Sequence, residues 1–561
     1  MNLTFLNNQH LVCLIHYLDI YHEKLKKCKY FFCLFFLNIL THYLLISRYT
    51  FVSDDWTEIV YSVFSQQSFY HLILESQRPI LYITFKIANA CFGGNPLVYQ
   101  VLNLITTSLI IFLVFLIAES LFNTVYQNST IHAFLVASFL CVIFNIDQLF
   151  TWGLSFSNNI AIILYFGSFY YYINVNRKQY YLFLSVSLFL IAIFTYEIGV
   201  FFPILFISYD LLFHRNWKKS VWYILPLGFW GIVRETNWFN FGWIFINRQQ
   251  NWLSLNFLHE FGQNFLINNS IREIGRTGLN ILYGILGLLN INYMVFFILI
   301  IIDFICILLI FKFLISPANS ENCEDRNFKN AVNISYIGIL GILLSHLILS
   351  VNGGSVSTRH LIFIDFFIFL SIVALVGPHL TKKPVIIPLF CIILTCVLIN
   401  QGLSVNWIIA GNICTSVNQS ISENANNVSF YNYVFINGVD LTRAIPNSML
   451  KYNFKNGNFN EFLNSPCLPY WAVNSMVSGT GINTSEVHII YDNSVDGSPT
   501  NVAVSANNSI MYQDIKTKAN NTINKSEYFE LNSTNLLSEF FNKEHSDFLF
   551  RQKTIHYLRI F

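Results

Sequence analysis

A chain of 561 residues that is 54% hydrophobic, 17% aromatic and only 11% charged is too apolar for an ordinary water-soluble protein of that length. Its formal net charge of +2 excludes a nucleic-acid binder, which needs a concentrated basic face. The 11 cysteines show no CxxC or Cys/His spacing, which excludes a zinc module, and most lie in apolar runs as packing residues.

In chain order, residues 1–30 read as a cytoplasmic or interfacial N-terminal segment. The apolar stretch at 11–18 is short, Lys24, Lys26, Lys27 and Lys29 follow it, and no small-residue cleavage site appears. Long apolar runs then fall at about 31–47, 97–121, 131–150, 157–173, 181–195, 198–213, 219–233, 293–315, 331–350, 360–378 and 385–404. They predict about eleven transmembrane helices, several shorter than the roughly 20 residues of a straight span. Residues 79–92 and 278–291 are apolar too and read as re-entrant or interfacial helices.

The positive-inside rule orients this layout. With the N-terminus inside, cytoplasmic segments hold the four early lysines, Arg177, Lys178, Arg215, Lys218, Lys219, Lys312, Arg326, Lys329, Lys382 and Lys383. The longer outer segments hold fewer cations before the tail: Arg48, Arg78, Lys86, Arg234, Arg248, Arg272, Arg276 and Arg359. The outer side then carries loop 48–96, the Trp/Asn/Arg-rich loop 234–277, and a polar tail over 406–561 that reads as an extracytoplasmic mixed α/β domain. Within that tail, 431–436, 487–491 and 502–505 read as strands between Asn/Gly/Ser turns. Its Asn-x-Ser/Thr triplets at Asn418, Asn427 and Asn483 are expected by chance in an Asn-rich chain. Cys414 and Cys467 would both be outside, where a disulfide is available to them.

The residues that stand out are acids and arginines on the outer side. Ser53-Asp54-Asp55-Trp56 follows the first apolar run; carboxylates beside apolar segments are costly to desolvate and mark functional sites. Adjacent side chains diverge on helix or strand, so only one of Asp54 and Asp55 acts on a given atom, as general base on a hydroxyl. The simpler reading is a helix N-cap before Trp56. Gln77-Arg78-Pro79 offers a guanidinium fork for phosphate, against the simpler reading of a snorkelling arginine. Tyr196-Glu197 occupies a hinge between two short apolar runs, where Glu197 is a site residue or an arginine's partner. Arg359-His360 opens a later run and supplies a second phosphate contact or a membrane-edge anchor. Arg234-Glu235 reads as a local pair, and Asp303 and Asp365 as structural acids facing the bundle. His71, His259 and His346 are scattered, so no metal ligands are assigned, and no Walker, GxGxxG, GxSxG or HExxH motif is present.

Taken together, SDDW in the first outer loop, the following QRP, the TYE hinge and the polar C-terminal outer domain resemble the GT-C superfamily of integral-membrane glycosyltransferases. Within it the chain looks most like bacterial O-antigen glucosyltransferases and protein-mannosyltransferase-like enzymes. The resemblance implies a polyprenyl-phosphate sugar donor and a hydroxyl acceptor on a glycan, lipid or protein. It also implies a first-loop aspartate (Asp54 or Asp55) as base, with Arg78, Arg359 and His360 toward the phosphate and Tyr196 and Glu197 as support. Metal dependence varies across the superfamily, so a divalent metal stays open. The setting it implies is a bacterial inner membrane with an extracytoplasmic site. The competing readings are a transporter or lipid-linked glycan flippase without transferase chemistry, and a polysaccharide polymerase.

Overall fold

The computed structural model describes residues 27–51, 55, 59, 78–143, 146–178, 180–215, 217–235, 281, 301–302, 305–306, 308–309, 325–351, 361–380 and 383–423, with 433–437, 445–453, 458–465, 488–491, 502–504, 510–513, 520–524 and 526–532 in the tail. Asp54, Arg359, His360, Asp303, Cys467, His71, His259, the run 293–315 in large part, the stretch 278–291 except Ile281, and loop 234–277 beyond its first two residues lie outside them.

The described chain is a bundle of helices. Among the described residues, five helical stretches are long and apolar enough to cross a membrane: Lys27–Arg48, Pro96–Phe122, Glu197–His214, Asn327–Ile348 and Pro384–Ser404. Shorter apolar helices fill the gaps between them. In chain order the helices are α1 (Lys27–Arg48), α2 (Pro79–Phe92), α3 (Pro96–Phe122), α4 (Ser129–Val142), α5 (Asp147–Thr151), α6 (Ser155–Ile173), α7 (Tyr180–Thr195), α8 (Phe202–Tyr209), α9 (Ile224–Glu235), α10 (Asp325–Val351), α11 (Ile362–Leu380) and α12 (Lys383–Glu423).

Local chemistry sets several of these boundaries. Gly93 ends α2 at φ +60°, donating its N–H to Asn89 O. Asn95 then caps α3, its side chain accepting the Leu97 N–H at 3.1 Å, and Pro96 takes the first helical position. At 14 residues α2 rises only about 21 Å, too short for a perpendicular span.

The packing surface is aromatic. Phe166, Phe169, Phe202, Phe206, Phe363, Phe366 and Tyr165 are buried and meet edge-to-face, stacked or tilted across α6, α8 and α11. Polar side chains tie helices where lipid could not satisfy them. Asn38 of α1 donates to Thr107 and Ser108 of α3 at 3.0 and 2.9 Å. Gln401 of α12 donates to the carbonyls of Leu40 and Thr41. Asp365 is buried within α11. Helices α10 and α11 pack at Gly338 and Gly341, where a side chain would collide with Ser371 and Phe367.

These contacts sort the helix ends into two groups. At one end lie the end of α1, the start of α3, the turn between α4 and α6, and the hinge between α7 and α8. At the other lie the start of α1, the end of α3, the start of α4 and the end of α6.

Two boundaries differ from the hydropathy reading. The run at 131–150 is not one helix: α4 stops at Val142, Ile143 is extended, and α5 is a separate turn begun by buried Asp147. The helix expected to end near 404 continues to Glu423. Its 41 residues rise about 60 Å, twice a bilayer's hydrocarbon thickness. Leu403, Trp407, Cys414 and Ile421 lie near helical repeat spacing and are buried, so the extension has an apolar stripe that the averaged hydropathy of this Asn/Ser-rich stretch hides.

Beyond α12 the described tail is β-structure. Strands β1 (Tyr433–Asn437), β4 (His488–Tyr491) and β8 (Tyr528–Asn532) form a parallel sheet in the order β4-β1-β8. Strands β2 (Ile445–Asn453) and β3 (Asn458–Ser465) pair antiparallel, as do β5 (Val502–Val504), β6 (Ile510–Gln513) and β7 (Asn520–Ile523). β1, β4 and β5 fall on the three stretches read as strands. Cys414 is buried in α12.

Candidate functional site

Two of the arginine and acid motifs, 119 residues apart in sequence, meet in space. Pro79 keeps Arg78 out of the helix (φ −138°, ψ 68°), so Arg78 stands at the mouth of α2 while its carbonyl accepts the Tyr82 N–H. Its Nε and Nη2 donate to Oε2 and Oε1 of Glu197 at 3.1 and 2.9 Å, a two-point ion pair. The guanidinium also lies over the Tyr196 ring, 4.1 Å from its centroid. The side chains of Arg78 and Glu197 keep 30% and 19% of their exposure, so the pair borders the surface. Burial works against the charge on Arg78, but the Glu197 carboxylate and Tyr196 outweigh it and hold the guanidinium above its ordinary range.

The hinge that presents Glu197 is built by packing. Helix α7 stops at Thr195, Tyr196 is extended, and Glu197–Gly199 forms one 3-10 turn before Pro203 near the start of α8. Buried Tyr165 of α6 donates from its hydroxyl to Tyr196 O at 2.9 Å. The Tyr165 ring covers Gly199 so closely that a Cβ there would lie 2.7 Å from ring carbons. The start of α11 closes the other side, with Phe363 against Phe201 and Phe202.

Asp55 has a different environment. It is fully buried, and its Oδ1 accepts the Leu154 N–H at 2.9 Å. The carboxylate lies against Gly153, where a Cβ would be 2.9 Å from Oδ2. The same turn is held from α3, where Gln100 donates to Thr151 O and Asn103 to Trp152 O, both at 2.7 Å. Asn159 of α6 reaches back to Leu149 O, and Trp407 of α12 donates to buried Asp147 Oδ2 at 3.0 Å. Asp55 thus fastens a turn whose backbone polar groups would otherwise be buried without partners.

Helix α2 connects the two places. Two turns after Arg78, Phe85 packs edge-to-face on Phe156, next to the turn that Asp55 holds, and Tyr99 packs on the same ring. Asn89 donates to the carbonyl of buried Ile59 at 2.6 Å, pinning part of the segment before α2 to that helix. Arg78, Tyr196 and Glu197 therefore converge, Asp55 lies along the same helix, and Asp54, Arg359 and His360 fall outside the described residues.

Gln100, Asn103, Asn159, Asp147 and Trp407 were not singled out by sequence reasoning. The available signal was an interruption of polarity: Asp147, Asn158 and Asn159 break stretches otherwise read as continuous spans. Among the described residues, no three of His, Cys, Asp and Glu group as metal ligands. Compared with known proteins, the chain matches no family model and no curated relative.

Proposed function

We propose that the protein is a membrane glycosyltransferase that moves a hexose from a polyprenyl-phosphate donor to a hydroxyl of a glycan, lipid or protein acceptor. The observation that carries this reading is the meeting of Arg78, Tyr196 and Glu197 at the end of the bundle where Asp55 anchors the first loop. Glu197 and Tyr196 fix Arg78 by one edge and one face, which would leave the Nη1 edge for a donor phosphate. The free N–H donors of the Arg78 guanidinium would hydrogen-bond the leaving phosphate as negative charge develops on it.

Asp54 is the general base in this reading. Asp55 is its positioning neighbour, because a carboxylate buried on the Leu154 N–H is spent on the turn and closed to an acceptor hydroxyl. Arg359 and His360 add phosphate contacts ahead of α11. The site faces the extracytoplasmic side of a bacterial inner membrane, in a layout of about eleven spans with the N-terminus inside and the C-terminal mixed α/β domain outside. Nucleotide sugars are absent there, so a lipid-linked donor is the natural one, and exclusion of water by the outer loops would limit its hydrolysis. A divalent metal stays open beside these residue roles.

The test uses membranes carrying the full chain, a radiolabelled polyprenyl-phosphate hexose and a crude glycan acceptor, with Asp54→Asn and Asp55→Asn in parallel. The reading expects transfer by the wild type and its loss in Asp54→Asn. Transfer unchanged in both variants removes the base assignment. Absent transfer with accelerated movement of the labelled lipid across the bilayer identifies a flippase instead.

A further inference from the structure

The opposite end of the bundle holds a polar cavity of about 250 Å³, lined among others by Lys27, Glu119, Ser120, Asn123, Gln127 and Arg177. It lies where the start of α1, the end of α3, the start of α4 and the end of α6 meet. Lys27 Nζ is 3.2 Å from Glu119 Oε2, and Thr130 Oγ1 donates to Glu119 Oε1 at 3.0 Å. The acid is thus spent on Lys27 and Thr130, while Arg177 is exposed at the rim. Counting Lys27 and Arg177 against Glu119 leaves the lining one positive charge in excess. Hydroxyl and amide donors surround it, and Ser129 and Thr130 open α4, whose first-turn N–H groups favour an anion.

Its surroundings are those of a membrane–water boundary. Tyr170, Tyr171, Tyr180 and Tyr181 form a run of ring contacts across the α6–α7 connection, and Lys178 lies 5.6 Å from the Tyr180 ring centroid. Tyrosines interleaved with Lys and Arg are the composition of an interfacial belt. Exposed Phe32 and Phe36 follow Lys27 along the first turns of α1, an apolar surface suited to acyl chains.

We propose that this cavity binds a phosphate ester, with Arg177 and Lys27 as its cations and the Ser120 hydroxyl and the Asn123 and Gln127 amide groups as neutral donors, since the Ser129 and Thr130 hydroxyls already donate to Asn123 and Glu119. The volume takes a head group and excludes an acyl chain, which would lie outside on α1. Basic pockets between helices on the cytoplasmic side are a physical fit for anionic lipid heads. This proposal stands apart from the transferase reading, since none of its residues belongs to the Arg78–Glu197 end.

Native mass spectrometry of the detergent-purified full chain tests it, with short-chain phosphatidylglycerol, the matching diacylglycerol, and inorganic phosphate as competitor. The expected result is a retained phosphatidylglycerol adduct, no diacylglycerol adduct, and at least about fivefold weaker retention in Arg177→Gln, in keeping with loss of one charge-assisted hydrogen bond. Lys27→Gln, checked for folding by its melting temperature, should weaken retention as well. Displacement by millimolar inorganic phosphate assigns the site to free phosphate compounds, and resistance to it assigns the site to lipid heads. Equal retention of diacylglycerol, or unchanged retention in both variants, overturns the proposal.

Discussion

Each end of the bundle carries an ion pair that bridges separate helices, and the two pairs are built differently. Arg78 and Glu197 meet through two hydrogen bonds with an aromatic ring beneath the guanidinium, so the geometry is determined in three directions. Lys27 and Glu119 meet through one contact inside a polar cavity, with a flexible four-carbon stem and a point charge. The difference separates a clamp from a receptor. The first arrangement spends its charge on holding α2 to the α7–α8 hinge and offers one defined edge. The second leaves room and spare donors for something that exchanges.

That contrast can be broken by experiment, and the largest effect expected is on activity. Asp54→Asn should lower sugar transfer by about 10²–10⁴-fold, the usual worth of a general base. Asp55→Asn retains an oxygen for the Leu154 N–H and should lose much less activity. Asp55→Ala leaves that N–H buried without a partner, and its melting curve should show a cost of about 1–3 kcal/mol. Equal losses of activity in Asp54→Asn and Asp55→Asn, without any loss of stability, would mean that the two carboxylates share the chemistry.

Packing at the clamp end comes next. Gly199→Ala forces a methyl group toward the Tyr165 ring and should destabilise by about 1–3 kcal/mol, read from thermal unfolding in detergent. A neutral result would show that the hinge gives way easily, and the clamp would then be soft. The smallest effects are the pair energies themselves. A double-mutant cycle on Arg78 and Glu197 should return roughly 0.5–3 kcal/mol of coupling. The same cycle on Lys27 and Glu119 should return roughly 0.2–1 kcal/mol, in the range of single-contact pairs near water. Reversed magnitudes would erase the distinction between the ends.

Much of this was legible in the sequence because hydropathy and punctuation report directly on burial. The runs at 97–121, 157–173 and 181–195 correspond to helices within a residue or two, and Arg78, Tyr196 and Glu197 stood out as charge or hinge beside apolar sequence. Three features were not legible. The break after Val142 is met by His42 and Asn400 on the carbonyls of Cys141 and Val142, and the turn after α5 by Gln100, Asn103 and Asp55, all from elsewhere in the chain, which no local pattern announces. The extension of α12 to Glu423 rests on a sparse stripe of buried residues in a polar stretch. The capture of the Leu154 N–H by Asp55 joins residues 99 apart, and a pair of adjacent identical residues carries no such information.

The most direct measurement is the donor dependence of sugar transfer by Arg78→Lys. Lysine keeps the positive charge but loses the fork and the stacking on Tyr196. If Arg78 is the donor-phosphate contact, kcat/KM for the polyprenyl-phosphate hexose should fall by roughly 10- to 100-fold, the equivalent of one charge-assisted hydrogen bond, with the acceptor KM within about twofold of wild type. A donor kcat/KM within about twofold of wild type, in a variant that still folds, would show that the clamp is structural and that the phosphate binds elsewhere.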